Sequence, residues 1–163
     1  MKTKINIVNQ DLTKTVIESI VDGPGIRLTI FFQGCEHKCK NCHNPSTWDK
    51  NKGYKIEISE LIEYIVNKFN KGKYYSGITI SGGDALFQKE ELEEFLKQLK
   101  EKIPNLNIWL YTGFHYEEIL SYNLLKYIDT LVDGPYIDEQ RNITLKYRGS
   151  ENQRIINLRW HYG

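Results

Sequence analysis

The sequence predicts an α/β protein whose strands are mainly parallel, arranged as an open, incomplete β/α barrel or a small doubly wound sheet. Three observations predict it. Apolar residues switch repeatedly along the chain between a period of two and a helical period, the succession that produces βαβ crossovers. There are about four or five such units in 163 residues, whereas a closed eight-strand barrel typically takes about 250. The chemically unusual residues also fall just after strand-like runs, at the carboxyl edge where parallel sheets keep their sites.

The elements follow in order. After a short N-terminal segment, residues 25–32 alternate Ile26, Leu28, Ile30 and Phe32 against Arg27, Thr29 and Phe31, with apolar residues enough on both faces for a buried strand. Residues 58–70 set Ile58, Leu61, Ile62, Ile65, Val66 and Phe69 at helical spacing, with Ser59 as the expected cap. Residues 77–81 make a short strand. Residues 88–102 carry Leu92, Phe95, Leu96 and Leu99 on one face among Lys and Glu, an amphipathic helix. A strand over 107–112, a helix over 116–127 (Ile119, Leu120, Leu124), a strand over 130–133 and a last apolar run over 155–158 complete the series. No repeat, low-complexity tract or linker divides the chain, so residues 1–163 are expected to form a single domain.

Composition narrows the function. With 22 Lys+Arg against 21 Asp+Glu and a net charge of +1, the chain lacks the cationic excess of a polyanion binder, and no nucleic-acid partner is expected. No apolar run approaches the roughly 20 residues that cross a bilayer. The start, MKTKINIVNQ, has neither the apolar core nor the cleavage site of a signal peptide, so the expected location is the cytoplasm.

The three cysteines, Cys35, Cys39 and Cys42, fall in one polar stretch bracketed by Gly34 and Pro45, with the spacing C-x3-C-x2-C. An odd number cannot pair fully within the chain. Three plain thiols fit poorly, because cysteine without a chemical task prefers apolar burial. Cys39-Lys40-Asn41-Cys42-His43 formally matches a c-type haem attachment, but that leaves Cys35 unexplained. Zinc could take the three thiolates with His37 or His43. An iron–sulfur cluster is the third reading; held by three cysteines instead of four, it would keep one iron open to an outside ligand.

Around this cluster, Asp22-Gly23-Pro24-Gly25-Ile26-Arg27, Phe32-Gln33-Gly34-Cys35 and Cys42-His43-Asn44-Pro45-Ser46-Thr47-Trp48 resemble the glycyl-radical-enzyme activases of the radical S-adenosylmethionine (SAM) superfamily. Ile80-Ser81-Gly82-Gly83-Asp84, Trp109-Leu110-Tyr111-Thr112-Gly113, Leu131-Val132-Asp133-Gly134-Pro135-Tyr136 and the block at 148–154 are most similar to those members whose partner is an anaerobic ribonucleoside-triphosphate reductase. These blocks run in order from about residue 20 to 156. The resemblance implies a partial β/α barrel of the radical SAM type and a 4Fe-4S cluster on Cys35, Cys39 and Cys42, its fourth iron open to SAM. It also implies reductive cleavage of SAM to methionine and a 5′-deoxyadenosyl radical, which takes a Cα hydrogen from a glycine of the reductase large subunit. Reduced flavodoxin or a similar donor would supply the electron. The SAM-binding residues it implies are Asn41, Cys42 and His43 beside the cluster, with Gly82, Gly83 and Asp84 at the methionine moiety.

Gly82 and Gly83 can adopt positive φ and let backbone approach a ligand closely, and Asp84 can accept hydrogen bonds from the ammonium of the methionine moiety. Taken alone, Gly-Gly-Asp is also a plain strand-to-helix turn with a cap. Thr112 has two readings, pocket lining or turn. The sequence departs from the family in having Ala85 where a proline is common, and Asn41 where an aromatic often precedes the third cysteine. Arg141, Lys146, Arg148 and Arg154 in the polar stretch 137–154 are read either as contacts to reductase or SAM, or as a solvated loop. His37, His115 and His161 receive no task. The alternative functions are activation of another glycyl-radical enzyme such as pyruvate formate-lyase and, from another class, a zinc-stabilised interaction module or an electron carrier. The lack of further cysteines excludes activases with an inserted ferredoxin domain.

Overall fold

The computed structural model describes residues 3–37, 47–71 and 74–159. Its strands are β1 (Lys4–Ile7), β2 (Val16–Ser19), β3 (Arg27–Phe32), β4 (Tyr54–Glu57), β5 (Gly77–Gly82), β6 (Ile108–Tyr111), β7 (Thr130–Asp133) and β8 (Arg154–Asn157). Its helices are α1 (Ile58–Phe69) and α2 (Lys89–Lys102). One sheet runs β4-β1-β3-β5-β6-β7-β8, with β2 also paired to β3.

The expected mainly parallel sheet is corrected to a mixed one. β3, β5, β6 and β7 are parallel to one another. The pairs β1–β3, β1–β4, β2–β3 and β7–β8 are antiparallel. The parallel centre is where βαβ periodicity was legible. The flanking strands are too short and too polar to announce themselves: the β2 sequence VIES buries Val16 and exposes Ile17.

Alternation along the central strands sorts two faces. Leu28, Ile30, Phe32, Ile78, Ile80, Ile108, Leu110 and Leu131 join one core with α1 and α2. The α2 residues Leu92, Phe95, Leu96 and Leu99 fill that face, and Phe95 meets Phe32 edge-on at 5.8 Å. Glu90 and Glu91 in the first turn of α2, and Lys100 and Lys102 in the last, complement the helix dipole.

The opposite face carries polar residues buried in place. The Arg27 side chain, 1% exposed, donates to Thr79 Oγ1 (2.9 Å), Ile78 O (2.8 Å) and Asn107 Oδ1 (2.8 Å). Asp22 accepts from Thr29 Oγ1 through its side chain, and from Thr79 Oγ1 through its carbonyl. The Asp22-Gly23-Pro24-Gly25 segment thus folds over the amino-terminal end of this face. Gly23 is held at φ +135°, and a Cβ there would lie 2.7 Å from Arg27 Cδ.

Three element expectations change. Ser59 does not cap α1; the helix begins directly after β4, so Glu57 takes the N-cap position and makes no side-chain cap bond. The helix expected over 116–127 is two short 3-10 turns, Tyr116–Glu118 and Asn123–Tyr127. Ser121 and Asn123, which bond locally and favour turns, interrupt it, while Ile119, Leu124 and Leu125 still reach the core. The last strand is Arg154–Asn157 and not 155–158, and it returns antiparallel beside β7.

Candidate functional site

The four loops that leave β3, β5, β6 and β7 lie on one edge, as the parallel register requires. The first two are joined backbone to backbone: Gly83 N–H donates to Phe32 O (3.0 Å) and Asp84 N–H to Gly34 O (2.8 Å). The returning end of the cysteine segment closes on the same place, with Gly34 N–H donating to Thr47 O (2.6 Å) and Cys35 N–H to Trp48 O (2.9 Å). Gly83 sits in the crowd this makes. A Cβ there would lie 2.5 Å from Gly34 O and 2.6 Å from Thr47 O. Gly82 has φ +112°, and a Cβ there would meet Phe32 O at 2.2 Å. Both glycines are thus required by the close approach of protein backbones to one another, whereas the sequence suggested the approach of a ligand.

Asp84 is 2% exposed and links three loops. Its Oδ2 accepts from Thr112 Oγ1 (2.7 Å), Gly113 N–H (2.8 Å) and His37 Nε2 (2.8 Å). Its Oδ1 accepts from Leu86 N–H (3.0 Å), capping the 3-10 turn Ala85–Gln88. The plain-cap reading of Gly-Gly-Asp therefore describes one oxygen, and the second has a wider task. Thr112, 6% exposed, donates to Asp84 and also accepts from Phe114 N–H (3.1 Å), so its hydroxyl both packs against Asp84 and closes a turn.

Cys35 is 9% exposed at the head of the cysteine segment. Cys39, Cys42, Asn41 and His43 lie outside the described residues. Among the described residues no group of three metal-binding side chains converges. Several residues that sequence reasoning missed hold the segment's two ends. Gln33 Nε2 donates to Asp49 O (2.9 Å), Asn6 Nδ2 donates to Lys50 O (3.1 Å), and Gln88 Nε2 donates to Asn6 O (2.9 Å). Their signal was weak: three amides whose partners are backbone carbonyls far along the chain.

A cavity of about 830 Å³ opens over the polar face, its lining including Asp22, Ser81, Tyr111, Tyr147, Arg148 and Gln153. Tyr111 Oη and Arg148 Nε are buried there without a hydrogen-bond partner among the described residues. Burial, reinforced by Asp22, pushes the Tyr111 phenol well above its usual range, so it stays a neutral donor. Cys35 lines a second cavity of about 540 Å³.

The block at 148–154 forms the wall of the first cavity. Gln153 Oε1 accepts from Gly149 N–H (2.8 Å) and Ser150 N–H (3.1 Å), and its Nε2 donates to Gly134 O (3.1 Å). Asn152 Nδ2 donates to Pro135 O (2.7 Å). Arg154 bridges buried Asp133 (Nε to Oδ1, 3.0 Å) and exposed Glu117 (Nη1 to Oε1, 2.8 Å), which holds the Glu117 carboxyl down to about 2. Arg154 is thus a staple between β7, β8 and the 116–118 turn. Arg141 and Lys146 are exposed.

The sequence that builds this arrangement has known relatives. Residues 21–156 match the family model of a 4Fe-4S single cluster domain, which sets the class. The chain is 37% identical over 139 residues to the anaerobic ribonucleoside-triphosphate reductase-activating protein of Enterobacteria phage T4, covering 83% of this chain and 86% of the relative. It is 37% identical over 141 residues to the protein of that name from Vibrio cholerae, covering 83% and 90%, and 33% identical over 145 residues to that of Escherichia coli K12, covering 86% and 94%. The chain belongs to the family of anaerobic ribonucleoside-triphosphate reductase-activating proteins. Among the described residues no helix is long and apolar enough to cross a membrane.

Proposed function

We propose that this protein activates an anaerobic ribonucleoside-triphosphate reductase by forming a glycyl radical on its large subunit, using SAM and a 4Fe-4S cluster held by Cys35, Cys39 and Cys42. The observation that carries the reading is the closure of the Gly82-Gly83-Asp84 turn onto the first residues of the cysteine segment. The family membership supports it. The donor set fits the group: thiolates suit iron–sulfur clusters, and Cys35 sits at the carboxyl edge of β3, screened from water. When bound, the cluster would supply the electron that cleaves SAM to methionine and a 5′-deoxyadenosyl radical able to take a glycine Cα hydrogen.

The chain's own residues do the positioning. Gly82 and Gly83 let the loop backbones approach to hydrogen-bond distance, with carbonyls occupying the places where a side chain would stand. Asp84 and Thr112 fix the loop after β6 relative to that turn. Asn41 and His43 would flank SAM beside the third cysteine. The 830 Å³ cavity, with the neutral Tyr111 hydroxyl and Arg148, is large enough for SAM-sized or peptide ligands. In this reading the open sheet acts as a partial barrel of the radical SAM type, a single domain working in the cytoplasm with a flavodoxin-like electron donor.

Anaerobically reconstituted protein is expected to hold about four iron atoms per chain. It should release 5′-deoxyadenosine from SAM under strong reductant, and raise a glycyl electron paramagnetic resonance signal on the reductase. Stoichiometric zinc without a cluster would overturn the enzyme reading. A signal on pyruvate formate-lyase alone would overturn the choice of partner.

A further inference from the structure

His37 has no task in the reading above, yet its side chain is anchored by a hydrogen bond and two ring contacts. We propose that His37 is a positioning residue that fastens the stretch between the first and second cysteines onto the loops after β5 and β6. Its Nε2 lies 2.8 Å from Asp84 Oδ2, and since a carboxylate only accepts, the ring nitrogen donates. The same oxygen takes Thr112 Oγ1 and Gly113 N–H, so one buried atom gathers three loops. The ring is also boxed by aromatics, with centroids 4.6 Å from Phe114 and 5.0 Å from Phe87, which are themselves 5.2 Å apart. Gly113 completes the seat. A Cβ there would lie 2.6 Å from the His37 ring, so a glycine is needed for the ring to settle.

His37 stands two residues after Cys35 and two before Cys39. Fastening it fixes the described end of the cysteine segment, Cys35–His37, through a bond that needs no metal. The metal side of the inference rests on the proposed cluster; the docking of the loop does not.

Two measurements test it separately. In apo protein carrying Cys39→Ser and Cys42→Ser, Cys35 is the one thiol, and its alkylation rate by iodoacetamide reports how firmly the segment is seated. His37→Ala, and His37→Glu with its carboxylate set against Asp84, are expected to raise that rate about ten-fold, the effect of losing one hydrogen bond to a charged group. His37→Gln keeps a donor within reach and is expected to return the rate to within about three-fold of the parent. Far-ultraviolet circular dichroism identifies any variant that fails to fold, and the Glu/Gln pair compares side chains of one size. Equal rates in all variants would overturn the inference. In reconstituted protein, the Ala and Glu variants are expected to lose iron to a chelator about ten- to a hundred-fold faster than the parent, and Gln to hold it. Equal loss would also overturn the inference. A parent that takes up no iron would instead overturn the proposed function, and the alkylation rates would still decide the role of His37.

Discussion

Gly83 is required for what it lacks. The carbonyls of Gly34 and Thr47 crowd the place a Cβ would occupy, and neither can move without opening the junction between the loops after β3 and β5. Gly83→Ala is therefore expected to cost about 1–3 kcal/mol, the range for overpacking, read from urea denaturation of the apo protein. An unchanged midpoint would mean that the junction is looser than its geometry. Asp84 was legible from sequence as a carboxylate in a glycine turn. That it faces His37, 47 residues earlier, and Thr112, 28 residues later, was not, because local periodicity carries no information about partners at that range.

At the scale of elements, both α-helices were readable from a period of 3.6, and the four parallel strands as apolar runs ended by turn residues. β1, β2 and β4 were not, since their sequences KINI, VIES and YKIE mix polar with apolar residues and each takes its pairing from β3 or from another flanking strand. Arg27 illustrates the difference. In the sequence it is the polar break in an apolar strand. In the fold it stitches β3 to Ile78 and Thr79 of β5 and to Asn107 just before β6, under the Asp22-Gly23-Pro24-Gly25 cover. Burial lowers its guanidinium to about 10, which leaves it charged at neutral pH. Arg27→Ala would leave several buried acceptors unpaired and remove the packed stem, so a loss of about 3 kcal/mol or more is expected in urea denaturation. Because Arg27 sits at the end of the sheet away from the loops, iron bound per folded chain should stay at the parent's value.

For the whole molecule, the 148–154 block closes the polar face by tying the last strand back to β7. Its charge network gives a pH dependence with a definite sign. Glu117 normally titrates near 4.5 and is held at about 2 by Arg154 in the folded chain. Its contribution to stability is therefore complete above pH 4.5 and is lost as the pH falls from there through about 2. Glu117→Gln should lower the melting temperature slightly at neutral pH, by an amount that shrinks as the pH falls from 4.5 and vanishes below about 2. The difference should shrink in high salt, because the pair is exposed. A gap that persists at low pH would assign the effect to packing.

The sequence by itself determined the α/β class, the order of the central strands' loops and the cysteine spacing, since hydrophobic period and residue spacing are local properties of the chain. Only the tertiary structure decided the antiparallel flanks, the split of the 116–127 segment and the gathering of three loops on one oxygen of Asp84. Those depend on which surfaces remain uncovered once the central sheet has formed, and on hydrogen bonds between residues that become neighbours only then.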